Sequence, residues 1–209
     1  MNRINKIFLI LNKRKFETGI CMFILVIFFG CHTDNNEFST WSVYKGDATS
    51  SGYSGLNQIN KENVNQLKAA WTFYPNDTLA GARFERSECN PIVIDTIMYI
   101  TSARHRVYAI NAVTGKKIWS FDPFDGGQGG GVNRGLTFWQ DGNDKRILFT
   151  AGDRLFALNA MNGNPIVKFG ENGKVNLNIG MRGDPKAISI VPTSPGIVFE
   201  DLLVLGAEV

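Results

Sequence analysis

Two stretches of the sequence carry residue types that bind phosphate or metal ions in other proteins, but neither has the spacing that this chemistry needs. Residues 126–131, GGQGGG, are rich enough in glycine to wrap a phosphate, yet no Lys-Ser or Lys-Thr pair and no strand–loop–helix pattern follows them. His105 lies between two arginines in a predicted turn and has no Cys or carboxylate nearby at metal-ligand spacing. We therefore interpret the first stretch as a surface loop and His105 as a loop histidine.

The cysteines are too few to form a disulfide framework. Cys21 and Cys31 lie within and at the end of an apolar N-terminal run, so Cys89 is alone in the rest of the chain. Paired cysteines would be needed for a structural bridge even in an oxidising compartment. We therefore expect no structural disulfide.

The N-terminus has the layout of an export signal. Basic residues precede an uncharged, strongly apolar run at residues 20–29, which is too short to span a bilayer comfortably. The run ends at Gly30-Cys31, which is similar to a bacterial lipoprotein box. We predict a signal peptide at residues 1–30, lipid on the sulfur of Cys31 and a polar tether at residues 31–40. An ordinary signal peptide and an uncleaved anchor are the alternatives.

The positive charge of the chain belongs to that segment. Residues 1–30 hold five of the 22 basic and one of the 19 acidic residues, so the remainder carries 17 against 18. A nearly neutral chain without a basic stripe and interleaved aromatic residues argues against a nucleic-acid partner.

A repeat with a spacing of 48 residues organises the rest of the chain. VYAINAVTGKKIW at residues 107–119 returns as LFALNAMNGNPIV at residues 155–167. Each copy has an alternating apolar strand, a polar turn with glycine and a second strand, which predicts a β-hairpin. Ala109 leaves room for the large ring of Trp119, which we expect to pack one unit against the next; the second copy has Val167 at that place.

The match extends beyond the hairpins and predicts the fold. Residues 95–101 correspond to residues 144–150, and residues 195–206 repeat residues 91–101 with one extra position. Each unit thus contains two strands and a hairpin and has the length of a propeller blade. We predict an all-β fold of four-stranded antiparallel β-propeller blades. Two unrelated hairpins that look alike are the alternative interpretation.

The chain is too short for a closed propeller, which needs at least about four blades. We expect residues 41–209 to be the N-terminal part of a longer propeller that stops in mid-blade, with about two full blades and parts of others. Ahead of the repeat, residues 61–67 are predicted to form a short helix capped by Asn60, and residues 69–74 to form a strand.

The start of the fold resembles a known enzyme family. Residues 41–71 contain W-x-x-Y-x-G-D, Y-S-x-L-x-Q-I-N and N-V-x-x-L-K-x-x-W, and residues 109–119 contain A-x-N-A-x-T-G-K-x-x-W. These motifs are similar to those of quinoprotein dehydrogenases that use pyrroloquinoline quinone (PQQ). FGENGKVNL at residues 169–177 resembles the glucose and sugar dehydrogenase branch. Gln128-Gly129 stands where alcohol-oxidising members carry adjacent cysteines, which weakens a methanol dehydrogenase interpretation.

The resemblance implies an eight-bladed propeller that holds PQQ and Ca²⁺ at its axis. It implies that Glu88 reaches the quinone edge, Arg134 pairs with a cofactor carboxylate and Thr193 bonds another carboxylate. A guanidinium and a hydroxyl donor are suitable partners for carboxylates. Without the resemblance, Glu88 is interpreted as a solvated acid, Arg134 could pair with Asp141, and Thr193 could serve only a turn.

The reaction that the resemblance implies is oxidation of a sugar or alcohol hydroxyl. A carboxylate base takes the proton while hydride passes to PQQ beside Ca²⁺, and electrons leave to a membrane quinone or a cytochrome. The family's base and calcium ligands lie in later blades. We therefore assign no catalytic residue and no metal ligand in residues 1–209 and expect the isolated polypeptide to be inactive. With an export signal and a lipid anchor at Cys31, we expect the protein to lie in the periplasm or cell envelope.

A non-catalytic propeller lipoprotein that acts as a scaffold in outer-membrane protein assembly is the alternative function. The signal, Cys31 and the blades fit it equally well. Glu88, Arg134 and Thr193 favour the enzyme, because a scaffold has no need of that set. A gene fragment without a function of its own is a third possibility.

Overall fold

Antiparallel β-structure dominates the computed structural model, which describes residues 39–77, 86–127, 129–182, 184 and 187–208. Two four-stranded sheets and one two-stranded hairpin follow one another along the chain. The predicted signal peptide, Cys31 and most of the predicted tether lie outside the described residues.

The strands of each sheet are neighbours in the order of the chain. The first sheet consists of β1 (Ile92–Ile94), β2 (Ile97–Thr101), β3 (Val107–Asn111) and β4 (Lys117–Phe121). The second consists of β5 (Thr137–Asp141), β6 (Asp144–Ala151), β7 (Arg154–Asn159) and β8 (Lys174–Asn176), and the hairpin of β9 (Ile197–Phe199) and β10 (Leu202–Val204). This order confirms the predicted all-β fold of four-stranded blades, and the hairpin corresponds to the first two strands of a third blade.

Successive strands run in opposite directions, so their connections lie alternately at two ends of the sheets. The β1–β2 turn at residues 95–96 and the β3–β4 turn at residues 112–116 share one end. The β2–β3 loop at residues 102–106 and the connection between the sheets at residues 122–136 share the other end with the start of β1. We call this second end the loop face.

A tryptophan indole donates a hydrogen bond to a backbone carbonyl oxygen beside each four-stranded sheet. Trp119 on β4 lies opposite Ala109 on β3, and its Nε1 donates to the carbonyl oxygen of Ala160 in the second sheet at 3.0 Å. Trp71 repeats this contact 48 residues earlier, where its Nε1 donates to the carbonyl oxygen of Ala112 at 3.1 Å. The packing role predicted for Trp119 is confirmed, and Trp71 plays the same part for the first sheet.

The segment ahead of the first sheet differs from its prediction. The predicted strand at residues 69–74 is absent from the described structure, and the predicted helix at residues 61–67 is only a 3-10 turn at Val64–Gln66. Oδ1 of Asn60 accepts the backbone N–H groups of Glu62 and Asn63, so it stabilises the turn at residues 61–63. The N-cap position of the 3-10 turn is Asn63, which makes no side-chain capping hydrogen bond. Val64 is exposed in the turn, and a short helix without a packed apolar face is unstable in water.

Proline alters the second copy of the hairpin. Leu158 on β7 forms a single bridge with Pro165, after which the chain leaves the sheet. It returns at Gly173, whose carbonyl oxygen accepts the N–H of Ala157 at 3.0 Å, and continues as β8. Because Pro165 has no N–H for the ladder, the fourth strand comes from a later segment than the repeat predicted.

The main hydrophobic core lies between the two sheets. Phe149 stacks on Phe156 with ring centroids 5.2 Å apart, and Phe121 of the first sheet meets Phe156 edge-on at 5.8 Å. The hydroxyl of Tyr99 donates to the carbonyl oxygen of Ala160 at 3.1 Å, the same oxygen that accepts from the indole. Aromatic contacts and hydrogen bonds to one carbonyl therefore hold the sheets together.

A glycine under an indole ring provides a test of this packing. Gly163 has a φ of +75°, and a Cβ there would lie 2.5 Å from the ring of Trp119. We expect Gly163→Ala to lower the free energy of unfolding by about 3 kcal/mol, because the methyl group overlaps a ring that is held in place. Gly152, with a φ of +59° and nothing within 4 Å, is the control. Gly152→Ala should lower the free energy of unfolding by only about 1 kcal/mol, because the left-handed backbone alone is strained. If urea denaturation showed equal losses for the two variants, the packing described would be contradicted.

Candidate functional site

Three segments lie side by side on the loop face, each ahead of the first strand of a unit. The N–H of Asn90 donates to the carbonyl oxygen of Arg134 at 2.9 Å, and the N–H of Arg134 donates to that of Thr193 at 2.8 Å. Glu88 lies two residues before Asn90 in the first segment. The structure thus brings together the three residues that the sequence analysis selected.

The side chain of Arg134 connects the other two residues. Its Nη1 donates to Oγ1 of Thr193 at 2.7 Å, and its Nη2 lies 3.4 Å from Oε2 of Glu88. The side chains of Arg134 and Glu88 are 40% and 32% exposed, so solvent screens their ion pair and a dissolved anion can reach the guanidinium. The alternative partner, Asp141, ends β5 away from the loop face. We call Glu88, Arg134 and Thr193 the arginine triad.

A buried polar network supports the backbone of the triad. Oδ1 of Asn133 accepts from Oγ1 of Thr101 at 2.8 Å and from the N–H of Gly135 at 3.0 Å, and its Nδ2 donates to the carbonyl oxygen of Thr150 at 3.0 Å. The sequence analysis missed these residues. The available signal was Asn133 itself, because an asparagine side chain often bonds the backbone two residues on.

Close backbone contact explains the glycine that follows Arg134. Gly135 has a φ of +145°, and a Cβ there would lie 2.9 Å from the carbonyl oxygen of Asn90. Within the described residues, Oδ1 of Asn90 is buried without a hydrogen-bond partner. Neighbouring segments of the site therefore contain an accessible cation and an unpaired acceptor.

Cys89 lies in the first of these segments but has a packed environment. The N–H of Thr101 donates to its Sγ at 3.2 Å, and burial raises the pKa of the thiol. A thiol with a raised pKa is a weak nucleophile. Cys89 therefore contributes packing to this segment and no reactive thiolate.

The glycine-rich residues 126–131 form a loop that is bonded to the loop face, although Gln128 lies outside the described residues. Nη2 of Arg104 donates to a carbonyl oxygen of this loop at 2.6 Å, and Oδ2 of Asp122 accepts one of its N–H groups at 3.0 Å. Strand β5 follows the loop, so its context is not that of a phosphate-binding loop.

His105 lies in the β2–β3 loop, as predicted, yet it is only 6% exposed. Its ring contacts that of Phe124 with centroids 6.3 Å apart. Burial lowers the pKa of His105, and the backbone of Gly131 opposes this effect. Neither ring nitrogen has a hydrogen bond of normal geometry to any described residue. The imidazole is therefore neutral in the folded protein at neutral pH.

The chemistry that this arrangement supports is the binding of a carboxylate ligand. A guanidinium has five N–H donors, and a neighbouring hydroxyl supplies another. Across the described ranges, no group of three or more His, Cys, Asp or Glu side chains is arranged to hold a metal ion. In the same ranges we find no helix with the length and apolar character of a membrane span.

The chain is similar to proteins of one family. Residues 41–209 match the family model described as PQQ: Glucose/ethanol/alcohol dehydrogenase, beta-propeller domain. Quinoprotein glucose dehydrogenase A of Acinetobacter calcoaceticus is 32% identical over 197 residues, which cover 82% of this chain and 24% of that protein. The dehydrogenase subunit of alcohol dehydrogenase (quinone) from Gluconacetobacter polyoxogenes is 38% identical over 138 residues, which cover 63% of this chain and 17% of that protein.

A solved structure shares the fold. The quinohemoprotein alcohol dehydrogenase of Comamonas testosteroni superposes with a TM-score of 0.65 and 28% identity, over 84% of this chain and 24% of that chain. This chain therefore spans a quarter or less of the length of these relatives.

The buried histidine predicts a pH dependence of stability. The unfolded chain binds a proton on His105 near the ordinary pKa of 6.5, whereas the folded chain binds it only at lower pH. The stability contribution of neutral His105 is thus complete above the unfolded pKa and is lost as the pH falls below it. We expect the free energy of unfolding to fall by about 1 kcal/mol between about pH 7.5 and about pH 5.5.

Urea denaturation of the wild type and of His105→Asn at both pH values measures this effect. Asparagine tolerates the φ of +58° at this position and does not titrate. An unchanged pH slope in His105→Asn would show that the dependence arises elsewhere.

Proposed function

The chain belongs to the family of PQQ glucose/ethanol/alcohol dehydrogenase β-propellers, and from this premise we propose that the arginine triad binds PQQ in an enzyme that oxidises a sugar or an alcohol. The observation that carries the proposal is the convergence of Glu88, Arg134 and Thr193 from three separate segments. They lie far apart in the sequence, and an ion pair and a hydrogen bond bring their side chains to one point.

The residues of the triad fit the cofactor. PQQ carries carboxylates, and Arg134 retains N–H donors beyond the one that bonds Thr193. Its guanidinium is partly exposed, so a cofactor carboxylate can reach it, although that carboxylate would share the guanidinium with Glu88. A bidentate bond to a cofactor carboxylate uses the planar geometry of arginine, which lysine lacks.

The roles of these residues are binding and orientation. PQQ, when bound, supplies the quinone that accepts the electrons of the substrate. We propose that Arg134 and Thr193 bind cofactor carboxylates and that Glu88 lies at the quinone edge. We propose neither a base nor a calcium ligand within residues 1–209, so Ca²⁺, which the family resemblance implies, would be held by residues beyond them.

An aldose such as glucose is the proposed first substrate class, with an alcohol as the second. Residues 169–177, which resemble the sugar branch, lead into and form β8. Both classes appear in the names of the relatives. The proposed electron acceptor is a membrane quinone or a cytochrome.

A test of the proposal is PQQ binding by the longest reading frame that contains residues 1–209. We expect saturable PQQ binding in the presence of Ca²⁺, and a dissociation constant raised about 30-fold to 100-fold in Arg134→Ala, because a charge-assisted hydrogen bond is lost. Arg146→Ala is the matched control, since Arg146 pairs with Asp144 at the opposite end of the second sheet. Reduction of a dye by aldoses and by alcohols then identifies the substrate class.

The outcomes separate the candidate functions. A folded protein that neither binds PQQ nor reduces dye would contradict the enzyme proposal and favour the scaffold. Binding that Arg134→Ala leaves unchanged would exclude the triad as the cofactor site while leaving the family chemistry in place.

We further propose that the protein is exported to the periplasm or cell envelope and anchored through lipid on Cys31. Cys31→Ser should abolish incorporation of labelled fatty acid and move the protein from the membrane fraction to the soluble fraction. Cys89→Ser, which removes a packed thiol from the segment ahead of β1, is the control and should leave both unchanged. Labelled fatty acid in Cys31→Ser would place the lipid elsewhere or argue against this anchor.

A further inference from the structure

The buried side chain of Asn133 joins the two sheets next to Arg134. It accepts a hydrogen bond from Thr101, at the end of β2, and donates one to Thr150, near the end of β6. Asn133 is 5% exposed, and both threonines are also buried. The two threonines occupy corresponding positions in successive units. Asn133 therefore bonds the end of the second strand of each four-stranded sheet.

Asn133 also shapes the turn that carries Arg134. Its Oδ1 accepts the N–H of Gly135. The N–H of Arg134 donates to the carbonyl oxygen of Thr193, and the carbonyl oxygen of Arg134 accepts the N–H of Asn90. The backbone on both sides of Arg134 is thereby fixed by partners from three units. The direction in which the long arginine side chain leaves the backbone depends on this network.

We propose that Asn133 is a positioning residue that orients Arg134 toward PQQ. This inference rests on the proposed function, because it assigns the ligand of Arg134 as PQQ. Asn133 itself is buried and acts through the backbone of its neighbour.

The amide suits this position because it accepts and donates at once. Aspartate would place an anionic oxygen against the carbonyl of Thr150, and alanine would leave the hydroxyl of Thr101 and two backbone groups without partners. Either change frees the turn, so the guanidinium samples directions in which it does not reach the cofactor.

A double-mutant cycle on PQQ binding tests the inference. We expect Asn133→Ala to raise the PQQ dissociation constant about tenfold when Arg134 is present. In the Arg134→Ala background the same substitution should have no further effect, because the residue through which it acts is gone. Equilibrium titration with PQQ, followed by intrinsic fluorescence in the full-length protein, measures all four constants at a temperature where each variant is folded.

Two further comparisons separate positioning from general stability. Asn178 is 7% exposed and bonds Asp153 and the N–H of Ile190 without touching the triad. Asn178→Ala should lower the unfolding temperature as Asn133→Ala does, yet leave PQQ binding unchanged. Thr101→Val, which loses the hydroxyl donor, should weaken PQQ binding. Thr101→Ser keeps the hydroxyl and should bind PQQ as the wild type does.

Additive effects of Asn133→Ala and Arg134→Ala, or an effect of Asn178→Ala on PQQ binding equal to that of Asn133→Ala, would overturn the inference. In that case Arg134→Ala alone still weakens PQQ binding, and the proposed function stands. If wild type and Arg134→Ala bind PQQ equally, the proposed site fails and the inference falls with it.

Discussion

The docking of an indole on the backbone of the next sheet is the contact on which the rest of the structure depends. Trp71 and Trp119 each place a large apolar surface and one N–H donor against a carbonyl oxygen of the neighbouring sheet. A single residue therefore buries aromatic surface and satisfies a backbone acceptor that would be costly to leave unpaired. Gly115 and Gly163 leave the space for these rings.

This contact also determines what happens at the opposite end of the sheets. Once two sheets are held together, the segments that lead into their first strands lie within hydrogen-bond distance, as Asn90, Arg134 and Thr193 show. The polar side chains that are buried near these segments, such as Thr101 and Asn133, bond across the sheets. Packing at one end thus supports a rigid polar site at the other, which is the arrangement that a binding site needs.

The repeat made the sheets predictable, because strand alternation and turn glycines are local properties. The first hairpin, for which the sequence predicts strands at residues 107–112 and 116–121, forms within one residue of those bounds, whereas Pro165 displaced the fourth strand of the second sheet. The residues of the arginine triad were selected by family resemblance. The bond from the N–H of Gly135 to Asn133 follows a common local pattern and could have been predicted. The bonds of Asn133 to Thr101 and Thr150 and the burial of His105 could not, because they depend on which strand ends meet. The side chain of Asn60 bonds the backbone as a cap would, but it does so in a turn at residues 61–63, and no helix follows from it.

The three members of the triad come from three successive units, and no unit contains the site by itself. A nascent chain that has completed only its first unit thus presents Glu88 without the cation that faces it. Any ligand that bridges the triad binds only the docked arrangement and, by mass action, stabilises that arrangement against separation of the units. An occupied site therefore indicates that these three units have docked.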